Sequence, residues 1–116
     1  MHVQVNTDNR VEGHDEFVSA VRATIEDALD RFGDHITRVE VHIGDENGHK
    51  GGPSDKRCAM EARPTSHQPV AVTHTAPTVD QAISGAAKKL QTALGRLLDK
   101  LADHKGRTPI GGEPRA

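Results

Sequence analysis

Six apolar residues in the last third of the chain, Ile83, Ala87, Leu90, Leu94, Leu97 and Leu101, are separated by 4, 3, 4, 3 and 4 positions. That spacing places all six on one face of a helix. Thr78 supplies an N-cap, and Gln81 three residues later completes a capping box directly after Pro77. A helix over 78–103 would run about 39 Å at 1.5 Å per residue. Strands of about seven residues, the length suggested elsewhere in the chain, span only about 23 Å. The helix therefore outruns any sheet beneath it, and its last leucines need a partner beyond that sheet.

At 116 residues the chain is sized for one domain with a modest core. With no Trp or Tyr and only two Phe, that core must be built from Val, Ile, Leu and Ala. Fifteen Lys and Arg stand against 17 Asp and Glu, so no overall positive charge marks the chain as a polyanion binder. Eight histidines would move the balance positive near pH 6. A single cysteine, Cys58, excludes an intramolecular disulfide and fits a reducing compartment. No apolar run reaches membrane-spanning length and the start does not resemble a signal peptide, so a soluble cytoplasmic protein is expected.

Along the chain, 2–6 alternates as a short strand with Val3 and Val5 on one face. Over 14–32, Phe17, Val21, Ile25, Ala28, Leu29 and Phe32 recur at helical spacing, and Gly33 stands where a left-handed cap is expected. Residues 36–43 alternate and form the clearest strand. A Gly-rich loop follows over 44–55, then strands over 57–63 and 69–75 joined by a turn at 64–68. The order β-α-β-β-β-α predicts an α+β fold, a four-stranded sheet with two helices packed on one face. If the first two strands pair in parallel, the crossover between them should be right-handed. The domain is expected over 1–105, with a flexible C-terminal tail over 106–116.

Charge is divided unevenly between the helices. The segment 14–34 carries Asp15, Glu16, Glu26, Asp27, Asp30 and Asp34 against Arg22 and Arg31. The segment 78–107 carries Lys88, Lys89, Arg96, Lys100, Lys105 and Arg107 against Asp80, Asp99 and Asp103. Lys89, Arg96 and Lys100 recur down one side of the second helix with Lys88 beside them. Such a row suits either a phosphate backbone or a solvated helix face whose late cations complement the helix dipole. Gly51 and Gly52, with Lys50, Lys56 and Arg57 nearby, suit backbone approach to phosphate or simple turn geometry, and no Walker spacing is present.

The histidines His42, His49, His67 and His74 show no metal-binding spacing. His42 is expected on the open side of the sheet, and a pH-responsive surface would follow if His74 pointed there too. Cys58 lies beside Lys56 and Arg57, but its alternation with Met60 suits a core residue better than a nucleophile.

Three features together carry a resemblance. They are the element order, the phrase Asp34-His35-Ile36-Thr37-Arg38-Val39-Glu40-Val41, and a final helix opening with Val79-Asp80-Gln81-Ala82-Ile83 and continuing to Lys89-Leu90. Over about residues 1–107 the chain resembles the ribosome hibernation-promoting factors, also called ribosome-associated inhibitor A or sigma-54 modulation proteins. The resemblance implies a translation inhibitor that binds small-subunit ribosomal RNA, occludes the decoding region and holds ribosomes idle under stress. It implies no catalysis, metal or cofactor.

By position, the implied RNA contacts are Lys88, Lys89, Arg96 and Lys100, with Arg22, Arg38, Lys56, Arg57 and Arg63 secondary. The expected type is the family's short form, without the long forms' C-terminal dimerisation domain. The chain departs from the family in its acidic first helix, its Gly-rich 50–64 segment and its leucines where basic residues are usual, which makes it a divergent member. The alternative reading is an interaction module that homodimerises through Leu94, Leu97, Leu98 and Leu101 without binding ribosomes.

Overall fold

The computed structural model describes residues 1–7, 14–45 and 55–106, with side chains described through residue 100 except that of His14. Strand β1 (His2–Thr7) leads to helix α1 (His14–Ala28). A 3₁₀ turn (Asp30–His35) enters β2 (Ile36–Asp45), then come β3 (Lys56–Pro64), β4 (Val70–Ala76) and helix α2 (Val79–Gly106). The sheet runs β1-β2-β3-β4, with β1 parallel to β2 and the other neighbours antiparallel. The α+β fold with both helices on one face of a four-stranded sheet is thus present. Lys50, Gly51, Gly52 and His49 of the Gly-rich loop, and the tail beyond Gly106, lie outside the described residues.

One face of the sheet is dry. Val3, Val39, Val41, Ile43, Cys58, Met60 and Ala62 are all buried there, beneath Val21 and Ile25 of α1 and Ala82, Ile83, Ala86 and Leu90 of α2. The other face carries Gln4, Arg38, Glu40, His42, Arg57, Glu61 and Arg63, the residues of opposite parity. Alternation in β2 holds only from Arg38 onward. Ile36 shares the parity of Arg38 yet is buried, because a register shift between Ile36 and Arg38 turns it inward. Thr37 at this irregularity donates its hydroxyl to the Arg63 carbonyl at 3.0 Å.

The first helix is shorter than its apolar period predicts. It ends at Ala28, and Leu29 and Phe32 reach the core through the 3₁₀ turn instead. Gly33 lies within that turn and is not left-handed, contrary to the expected cap. Among the described non-glycine residues, the one in the left-handed region is Ser66 (φ 65°), in the turn between β3 and β4.

The turn after α1 also gives the leucines of α2 a home. Helix α2 has 28 residues, about 42 Å, and β2 has 10, about 33 Å, so the overhang is smaller than expected. Gln91 Nε2 donates to the Ala28 carbonyl at 2.8 Å, an acceptor left open where α1 ends. A Cβ at Gly95 would lie 3.0 Å from Arg31 and 3.9 Å from the Phe32 ring, so the 3₁₀ turn abuts α2 there. The Arg31 guanidinium stacks over that ring, 4.4 Å from its centroid.

Leu94 is completely buried in the core, and Leu98 packs against that core partly buried. Of the leucines expected at a dimer contact, Leu94 is thus enclosed in its own core, while Leu98 packs on that core and is only partly buried. Leu97 is half-buried, and the Leu101 side chain lies outside the described residues. At the start of α2, the Gln81 amide donates to Thr78 Oγ1 at 3.1 Å, the N-cap bond that the sequence predicts.

Candidate nucleic-acid interface

The cations of α2 face the edge strand β4. Lys88, Lys89 and Arg96 line a groove of about 500 Å³ together with Gly85, Thr92, Ala93 and, from the strand, His74. The helical period brings these α2 positions round to one flank, and β4 supplies the opposite wall. Lys89 Nζ donates to the Thr73 carbonyl at 2.8 Å, which fixes one ammonium at the strand edge. Lys88 and Arg96 are exposed and make no ion pair among the described residues. No carboxylate lines the groove. Lys100 is exposed one turn beyond Arg96 and continues the row without lining the groove.

The other five cations proposed from sequence do not converge here. Arg22 lies on α1, its Nε 3.4 Å from the Val3 carbonyl that it donates to. Arg38, Arg57 and Arg63 lie on the open face of the sheet, where Arg38 and Arg63 have acidic neighbours. Arg38 donates to Gln4 Oε1, and its Nε sits 3.2 Å from Glu40 Oε2 without being aligned to donate, so that contact is purely electrostatic. Arg63 pairs with Glu61 at 3.3 Å, and His42 lies 3.6 Å from the second oxygen of Glu40. Lys56 pairs with Asp45 at 2.6 Å, its register partner at the end of β2 and β3. That pair borders a small apolar cleft of about 170 Å³ lined by Phe17, Ile43 and Val79.

The histidine expectation also changes. His74 pairs across the strands with Cys58, whose side chain is on the core side, so His74 faces the helices. His42 points to the opposite face with more than half of its side chain exposed, and the two share no surface. Sequence reasoning missed His74 and Gly85 as groove residues. Two signals pointed to them: His74 shares the parity of Val70 and Val72, and a glycine inside a helix costs about 1 kcal/mol relative to alanine unless something needs the space.

Cys58 is fully buried, and burial pushes its thiol up to about 11 against the opposing pull of Arg57. The thiol is therefore held protonated, unlike a nucleophilic cysteine. Among the described residues no three His, Cys, Asp or Glu side chains are grouped to hold a metal ion. Nor is any described helix long and apolar enough to cross a membrane.

Comparison with known proteins adds family and fold. No curated protein matches the chain in sequence. Among solved structures, a ribosomal subunit interface protein from Coxiella burnetii superposes with a TM-score of 0.62 at 14% identity, covering 85% of this chain and 99% of that one. The Protein Y N-terminal domain from Thermus thermophilus gives 0.53 at 15% identity, with 84% and 99% covered. At such identities these two likenesses establish the fold alone. The sequence itself matches the family of the sigma 54 modulation protein / S30EA ribosomal protein over residues 4–102. A match across that span, on a chain with the same β-α-β-β-β-α architecture, means that this protein belongs to the sigma 54 modulation protein / S30EA ribosomal protein family.

Proposed function

We propose that the protein is a ribosome-associated translation inhibitor of the cytoplasm. It would bind small-subunit ribosomal RNA through phosphate contacts, occlude the decoding region and hold ribosomes idle under stress. The observation that carries this reading is the family match over residues 4–102. The α2–β4 groove supports a location for the RNA. It concentrates Lys88, Lys89 and Arg96 with no carboxylate in its lining, and Lys100 extends the row. Each such cation that neutralises a phosphate releases counterions, which makes binding salt-dependent. The exposed acids Glu16, Glu26 and Asp27 of α1 and Asp30 of the turn after it would repel the same backbone. RNA is therefore expected along the β4 side of α2, not across both helices. Arg22, Arg38, Lys56, Arg57 and Arg63 lie off this track and would contribute less.

Co-sedimentation with ribosomes across a salt series tests the reading. Association should be strong at low salt, fall steeply as salt rises, and weaken on combined Lys89→Ala, Arg96→Ala and Lys100→Ala substitution. No association at low salt would end it. Binding indifferent to the triple change would remove the groove from it.

A further inference from the structure

We propose that His74 is a phosphate-binding residue of the α2–β4 groove. Gly85 seats it there, and it acts in its protonated form, so that RNA binding strengthens as the pH falls from 8 towards 6. The proposal rests on the RNA-binding reading above and deepens it.

Strand parity brings the ring to this place. His74 belongs to the set Val70, Val72, His74 and Ala76, which faces the helices, and it is the one polar member of that set. Its ring lies directly against the backbone of α2 at Gly85. A Cβ added there would meet His74 Cδ2 at 2.1 Å and Nε2 at 2.3 Å, well inside any real contact. Any other residue at 85 would drive the ring out of this position. The helix therefore carries a glycine, at its usual cost in helix propensity, where an imidazole fills the space.

The surroundings then point to an anion. From α2, the charged groups facing the ring are Lys88, Lys89 and Arg96. From β3, its cross-strand partner is the buried Cys58. From α1, Asp27 lines a separate furrow beyond Gly85, shared with Lys88. The ring makes no hydrogen bond or ion pair among the described residues. Lys89, anchored on the carbonyl of Thr73, is held beside it by the preceding strand residue.

Nothing negative lines this groove, and a phosphodiester entering it would supply the missing charge to the two lysines, the arginine and the imidazolium together. Imidazole gains and loses its proton within the physiological range. Binding of phosphate and uptake of that proton must then favour each other reciprocally.

The experiment measures affinity of the full chain for purified small ribosomal subunits in 0.1 M monovalent salt at pH 6 and pH 8. The wild type is compared with His74→Gln, which keeps a polar side chain but never carries the charge. At pH 6 the wild type should bind about threefold more tightly than the variant, the effect of one phosphate contact. At pH 8 the two should agree. Equal affinities at pH 6 would overturn the role of His74 while leaving the RNA-binding reading intact. Failure of the wild type to bind at either pH would instead overturn the reading on which the proposal rests. A second measurement needs no variant: calorimetry of wild-type binding at pH 7 in two buffers of different ionisation heat should show net proton uptake. No uptake would overturn the proposal.

Discussion

Two groups of cations among the described residues differ in company more than in number. On the open face of the sheet, Arg38 sits beside Glu40 and Arg63 beside Glu61, and His42 shares the same Glu40. In the α2–β4 groove, Lys88, Lys89 and Arg96 have no carboxylate among the lining residues. A phosphate approaching the sheet meets charge that is already locally balanced, whereas one approaching the groove meets charge that is not. Exposed ion pairs add little to stability in either region. Their consequence is electrostatic: a nearly neutral chain still presents, among its described residues, an uncompensated positive strip.

The strongest way to break this contrast is to remove the strip. Alanine at Lys89, Arg96 and Lys100 together should cost about thirtyfold in affinity for ribosomal subunits. It should also lower the slope of log affinity against log salt by about 2–3, read from titrations between 50 and 200 mM salt. Gly85→Ala attacks the same groove sterically. Its Cβ would collide with the His74 ring, so thermal or denaturant unfolding should show a loss of about 1–3 kcal/mol. A His74→Ala background should relieve most of that loss. A double-mutant cycle without coupling would separate the two residues.

The sheet face can be tested in the opposite sense. Glu40→Gln with Glu61→Gln would leave Arg38 and Arg63 uncompensated, and affinity for the same subunits should rise by about threefold. Unchanged binding would mean that local balance is not what distinguishes the two regions. The smallest effect belongs to Arg38→Ala with Arg63→Ala, for which a change below about twofold is expected in the same assay. A loss as large as that of the groove triple would erase the distinction.

Much of the fold was legible because it depends on periodicities. The alternation of Val39, Val41 and Ile43 and the 3–4 spacing of Ile83, Ala87, Leu90 and Leu94 each assign a face without knowledge of the partner. The basic row on α2 was legible for the same reason, since Lys89, Arg96 and Lys100 share a side of any helix that forms. What failed were boundaries and pairings. The first helix stops at Ala28 although its apolar spacing continues to Phe32, because a 3₁₀ turn can bury Leu29 and Phe32 equally well. Ile36 falls on the wrong parity, and only the irregularity beside Thr37 returns it to the core.

By itself, then, the sequence determined the family, the order of elements, the buried faces of β2 and α2 and the presence of a basic helix flank. These follow from residue spacing along one segment at a time. Tertiary structure alone decided that Lys88, Lys89 and Arg96 meet no carboxylate where α2 lies against β4, whereas Arg38–Glu40 and Arg63–Glu61 are pairs two residues apart on a single strand. It decided that Leu94 is a fully buried core residue, since α2 is drawn onto the end of α1 by the Gln91–Ala28 bond, 63 positions apart in sequence. It also decided that His74 lies in the cationic groove. That placement needs a strand register and a helix glycine to meet, and neither segment encodes the meeting alone.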